Sequence, residues 1–212
     1  MEKKLKKLIS IASPAICDEL PQVSDQLRSA VGGVCAQLVE LLYHKNGFFA
    51  FEGALHLFPA GCRDSHIDLE TWNREESWRH LYGDAINGYV FFAEDAFGEQ
   101  FGVGHESVYK FDPETGEVEE HAPNLEQWAA RVLDNYEYET GYPLAREWQS
   151  QYGPLPEGRR LLPKIPFLLG GAYDVDNLYA ADALEGMKFR ADIWKQLRDL
   201  PNGAEVKLKI VR

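Results

Sequence analysis

Between residues 89 and 121 the chain passes through four short strand-like runs, 89–94, 100–103, 107–112 and 117–121, each ended by turn residues. Two hairpins in succession restrict the chain to folds with an antiparallel sheet, because neighbouring strands joined by tight turns pair antiparallel. In "YVFFAEDAFGEQFGVG" a three-residue loop at Ala96, Phe97 and Gly98 sets the register. Phe91 then faces Val103, Ala93 faces Phe101, Phe92 lies over Gly102 and Glu94 sits opposite Gln100. Asp95 falls at the first position of a type I turn that ends on Gly98, where its carboxylate can accept the turn's backbone N–H groups. In "VYKFDPETGEVEEHA" Asp112 precedes Pro113 and Gly116 supplies a left-handed residue, which places Lys110 across from Glu119 and Phe111 across from Val118.

Helical periodicity surrounds these hairpins. Leu5, Leu8, Ile9 and Ala12 share one side of a short N-terminal helix, and Ser24 caps a helix through Lys45 that carries Leu27, Val31, Val34, Leu38, Leu41 and Leu42. "FFAFEGALHLFP" reads as short aromatic strands. A third helix, capped by Asp68, is expected to run to Gly83, a fourth starts at Asn124 with Gln127 completing an N-x-x-Q signal, and a fifth runs from near Pro143 to Gln151. "KIPFLLGG" reads as a buried strand and residues 177–179 as another, followed by a helix over 183–200. Val206, Leu208 and Ile210 alternate as in a strand with one wet face. The expected class is α+β: one domain over 1–212 with a central, largely antiparallel twisted sheet flanked by helices, 123–212 extending that domain.

With 34 acidic against 22 basic residues the formal charge is −12, which argues against nucleic acid or an anionic membrane as partner and favours a basic one. Cys17, Cys35 and Cys62 are odd in number and irregularly spaced, as in a reducing compartment. "MEKKLKKLISIASPAIC" imitates the start of a signal peptide, but its apolar run is short and stops at Pro14, so it reads as a helix. No segment has transmembrane length, and a cytoplasmic location is expected.

Each chemistry-bearing group has a plainer role available. Glu94, Asp95 and Glu99 lie among four phenylalanines, where burial and crowding could separate their pKa values for acid/base work. Glu94 and Asp95, as strand neighbours, point to opposite sides and cannot form a dyad, and Asp95 is better used by its turn. His56, Cys62 and His66, near Asp64 and Asp68, could bind zinc, but their spacing matches none of the usual paired-ligand patterns. They are candidates only, and no metal or cofactor is expected. His105 beside Glu106 and Ser107 lacks a nucleophile elbow, and neither Gly32-Gly33 nor Gly170-Gly171 completes a phosphate-binding motif. The five tryptophans and eleven phenylalanines fall mostly at core positions rather than on a stacking platform. No catalytic residue is assigned, and Glu94 and Glu99 are the expected contributors to an acidic partner-binding surface.

Taken in order, "LP" at Leu20-Pro21, "NG" at Asn46-Gly47, "GALHLFP", the tryptophan-bearing helix, "FFAEDAFGEQFGV", "VYKFDPETGEV" and the helix with Trp128 resemble the SUKH superfamily, in its bacterial Smi/Knr branch. The tail from Pro166 onward looks like that of longer bacterial members. The resemblance implies a single α+β domain without enzymatic activity, and in bacteria an immunity protein that binds and neutralises a cognate polymorphic toxin, often a nuclease. An acidic surface suits such a basic partner. Two other readings stand beside it: a small hydrolase using a metal at His56, Cys62 and His66 or the Glu94 and Glu99 carboxylates, and a regulatory scaffold.

Overall fold

Six strands, β1 (Phe48–Ala50), β2 (Leu55–Leu57), β3 (Tyr89–Glu94), β4 (Gln100–Gly104), β5 (Ser107–Phe111) and β6 (Val118–Ala122), pair antiparallel in chain order to form the main sheet. The computed structural model describes residues 1–25, 27, 32–62, 65, 67–104, 106–201 and 204–205. Part of the helix expected from residue 24, and the strand expected over 206–210, lie outside the described residues; α2 is described over Gly32–His44. α1 (Lys3–Ile11) buries Leu5 and Leu8 as its periodicity requires.

The β5–β6 hairpin has the expected register, Lys110 opposite Glu119 and Phe111 opposite Val118. In the β3–β4 hairpin the pairs at the tip, Ala93 with Phe101 and Glu94 with Gln100, are also as expected, but a bulge at Phe92 shifts the rest. Phe91 pairs with Gly102 and Val90 with Val103. Apolar layers on both sheet faces account for the bulge. Phe91 packs at 5.4 Å from Trp78 on one face and Phe92 at 5.1 Å from Trp128 on the other. Gly102, having no side chain, leaves room for the Phe91 ring.

Trp128 belongs to α4 (Leu125–Asp134), whose cap Asn124 accepts a hydrogen bond from the Gln127 N–H, as its sequence signal requires. The helix expected over 68–83 is instead one turn, α3 (Leu69–Trp72), capped by Asp68, followed by 3₁₀ turns at Arg79–Leu81 and Gly83–Ile86. A continuous helix would point Trp72 and Trp78 about 120° apart. Broken, it brings the two rings to 5.8 Å in one core, while the Asn73 amide bonds both the N–H and the C=O of Phe91. All five tryptophans are buried.

The C-terminal third contains α5 (Tyr136–Thr140), which carried no sequence signal, and α6 (Tyr142–Tyr152), with Pro143 in its first turn. A separate hairpin of β7 (Arg159–Pro163) and β8 (Leu178–Asp182) and then α7 (Ala183–Leu197) complete it. "KIPFLLGG" is not a strand. Between Pro163 and Pro166, which cannot donate to a ladder, it leaves the sheet, makes a 3₁₀ turn at Phe167–Leu169 and reverses at Gly170 (φ 85°). α7 contributes Met187, Ala191 and Trp194 to the same core as Leu8, Phe92 and Trp128.

The β3–β4 tip is where these later elements are fastened. Thr140 accepts from the Ala96 N–H at 3.1 Å, and Ala96 accepts from the Leu161 N–H at 2.9 Å. The buried Arg190 guanidinium of α7 donates to the carbonyls of Phe97 at 2.6 Å and Gly98 at 3.2 Å. Arg190→Met should therefore lower the unfolding free energy in urea by about 2–4 kcal/mol, since it removes charge-assisted bonds and leaves buried carbonyls short of donors. Exposed Arg159→Met should change it by less than about 0.5 kcal/mol.

Candidate functional site

The two glutamates expected on a shared acidic surface occupy different environments. Glu94 is 1 % exposed. Its Oε1 lies 2.8 Å from Arg160 Nε and 3.1 Å from His56 Nδ1, and its Oε2 accepts from Gln100 Nε2 at 3.4 Å. Burial by itself would raise Glu94, but Arg160, His56 and Gln100 outweigh it and hold the carboxyl below its ordinary range. Burial pulls His56 down, and Arg160 adds to the effect, so the imidazole is neutral. With Glu94 ionised, Nδ1 carries the proton, and Nε2 is left buried without a partner among the described residues. The triad is closed to solvent by β2, β3 and β7. Glu94 thus cannot contribute to a binding surface; the pleat that faces it toward His56 in β2 is covered by Arg160 from a strand more than sixty residues later in the chain.

Glu99, with its side chain 30 % exposed, does reach the surface. It lines an open cavity of about 530 Å³ bounded by the β3–β4 tip, β5 and the α5–α6 corner, together with Asp95, Lys110, Tyr138, Glu147 and Tyr173 among others. Asp95 has its expected turn role: Oδ1 accepts from the N–H groups of Phe97 and Glu99, both at 2.9 Å. Burial and the Glu99 carboxylate push it up to about 8, against the pull of Lys110 and of those two N–H groups. Burial would lower Lys110, but the Asp95 and Glu99 carboxylates raise it, and its ammonium sits 2.6 Å from Glu99 rather than on its cross-strand neighbour Glu119.

Two exposed rings flank the cavity, Tyr138 at 76 % and Tyr173 at 70 % exposure, and Lys110 lies 5.8 Å from the Tyr138 ring. Tyr173 stacks on Phe167 at 3.9 Å, and an adjoining cavity of about 220 Å³ brings in Asp112, Glu114, Leu168 and Arg190. Burial raises Glu114, which accepts from the Leu168 N–H at 2.9 Å. The α5–α6 wall is held by the β1–β2 turn, where Phe51 (φ 52°) and Glu52 (φ 54°) are left-handed although neither is glycine. Phe51 stacks on Tyr136 at 5.1 Å and Glu52 accepts from the Tyr142 hydroxyl at 3.1 Å. Sequence reasoning missed Tyr138 and Tyr173; "NYEYETGY" and "GGAYDVDN", tyrosines set among acidic residues with no apolar periodicity, were the available signal.

Of the metal candidates, His56 is committed to Glu94, and Cys62 offers its backbone N–H to the Asp68 cap at 3.0 Å. Asp64, His66 and His105 lie outside the described residues, and among the described residues no group of three or more His, Cys, Asp or Glu is placed to hold a metal ion. No described helix is long and apolar enough to cross a membrane.

No protein-family model matches the chain, and no curated protein matches it. The fold has a solved counterpart in the crystal structure of Atu4351 from Agrobacterium tumefaciens, with a TM-score of 0.59 at 16% identity over 90% of this chain and 88% of that one. At that identity the likeness extends to the fold alone, not to what either protein binds.

The buried triad generates a pH dependence. His56 is depressed below 6.5 and Glu94 below 4.5, so as pH falls through these values the unfolded chain takes up protons that the folded chain refuses. Stability should therefore be full above about pH 7 and decline as the pH falls, and His56→Gln should flatten the part of that decline nearest pH 6, measured by urea unfolding at a series of pH values. Glu94→Gln, which leaves Arg160 buried without a counter-charge, should cost about 3–5 kcal/mol at pH 7 in the same measurement.

Proposed function

We propose that this chain is a non-catalytic protein-binding module acting in the cytoplasm, an immunity protein that neutralises a basic toxin domain, as the resemblance to bacterial SUKH proteins implies. One observation carries the reading: two solvent-exposed tyrosines flank an acidic cavity at the β3–β4 tip. Tyrosine presents a large rigid ring with a polar end, and it is among the residue types that dominate protein–protein binding energy. Glu99, Asp112, Glu114, Glu137 and Glu147 around the rings supply a negative field that would speed encounter with a positively charged partner, in keeping with the net charge of −12.

The site is thus centred on Glu99 and the tyrosines, with Glu94 acting behind it as a structural charge. The partner is expected to be a protein with a basic face, of the kind that a nuclease presents to its substrate, rather than nucleic acid or membrane.

Co-expression with the toxin domain encoded beside this gene should rescue growth, and the purified pair should co-elute in size-exclusion chromatography. The association rate should fall by about tenfold or more between 50 and 500 mM NaCl, as expected for an electrostatically steered encounter. Absence of both rescue and a complex with the toxins encoded beside the gene would refute the reading.

A further inference from the structure

The floor of the tyrosine-flanked cavity holds a carboxylate whose hydrogen bonding is incomplete. Asp95 is 2 % exposed. Oδ1 is satisfied by two backbone N–H groups, but Oδ2 receives no hydrogen bond among the described residues and has only the Lys110 ammonium at 4.0 Å. Lys110 is drawn the other way, to Glu99 at 2.6 Å, and rests over the rings of Phe101 at 5.6 Å and Tyr138 at 5.8 Å. Burial and repulsion from the Glu99 carboxylate push the group up to about 8, and no hydrogen bond to Oδ2 opposes them.

Among the described residues, no other basic group lines this cavity. Glu137 and Glu147 line it along with Asp95 and Glu99, so four carboxyl groups face one ammonium. Glu139, behind Lys110, is already bound by His121 at 2.8 Å, and Arg190 is occupied by backbone carbonyls on the far side of the tip. What is missing is a cation carrying several directed N–H donors, with a flat face for the tyrosine rings.

A guanidinium has both properties. Its planar fork matches carboxylates two bonds at a time, it stacks on aromatic rings, and it is more weakly hydrated than an ammonium and so easier to bring into a half-closed site. A metal ion suits the cavity less well, because the Lys110 ammonium already stands among the carboxylates. We propose that this cavity receives an arginine side chain of the protein partner, its guanidinium bonded to Asp95 and Glu99 and packed against the Tyr138 and Tyr173 rings. This rests on the reading of the chain as a protein-binding module and adds to it a single anchoring contact.

The experiment is an NMR titration of the full chain with ethylguanidinium, and with its neutral isostere ethylurea, at constant ionic strength. Ethylguanidinium should move the amide signals of residues 95–99 and Tyr138 saturably, and ethylurea should not. Asp95→Asn, which keeps the oxygen that accepts the turn N–H groups, and exposed Tyr138→Ala should each weaken the binding by about tenfold, equivalent to about 1.4 kcal/mol, with Glu19→Gln as a distant control without effect. An equal response to ethylurea, no saturable shift, or unchanged binding in both variants would overturn the proposal. The two readings separate cleanly. If the cognate toxin is neutralised as well by the Asp95→Asn, Tyr138→Ala double variant as by the natural chain, the arginine anchor falls and the binding module stands. If ethylguanidinium binds as described but no toxin is neutralised, the anchor chemistry stands and the module reading falls.

Discussion

A hairpin tip ordinarily projects into water, which satisfies its peptide groups. Here the tip between β3 and β4 is buried, and its peptide groups have to find partners inside the protein. Thr140, Leu161 and Arg190 provide them from three elements that follow much later in the chain, and Ala96 sits in a small second core with Trp148, Leu161 and Val175. The C-terminal third is therefore not an appendage. It covers one end of the sheet, and α7 shares the main core with the N-terminal helices. Close approach enforces the same arrangement: Gly116 (φ 71°) lies against the Trp194 ring and Gly141 (φ 67°) against Phe97, where a side chain would clash and the backbone favours glycine.

The ionic triad of Glu94, Arg160 and His56 serves the same joint. Buried ion pairs contribute little net stability, because desolvation offsets the attraction, but breaking one is expensive. The pairing is consequently specific in position: Arg160 meets Glu94 only when β7 lies beside the tip in one register. Lys110 behaves differently at the surface end. There, partial solvent and competing carboxylates leave its charge shared, and Asp95 under-bonded. One hairpin tip thus contains a closed electrostatic site that orders the fold and an open one that faces outward, on opposite sides of adjacent residues.

That opposition was legible in the sequence. Because strand side chains alternate, Glu94 and Asp95 had to point to opposite faces, and aspartate followed by a glycine three residues later marked the turn. The four central strands, the Asn124 cap and the apolar stripe of α4 follow from equally local rules, since turn chemistry and periodicity act over a few residues. The bulge at Phe92 was not legible, for it depends on tryptophans on both sheet faces. Nor was the break after Trp72, which exists because Trp72 and Trp78 are required in one core.

The sequence by itself determined the hairpins, their turns, the helix caps and the strongly acidic balance, because each is set by neighbouring residues or by simple composition. Only the tertiary structure decided which carboxylate meets water. Glu94 was removed from the surface by an arginine from β7, and Tyr138 and Tyr173 were brought to one cavity from segments 35 residues apart. Burial and long-range charge pairing depend on how distant segments pack, and no local pattern encodes that packing.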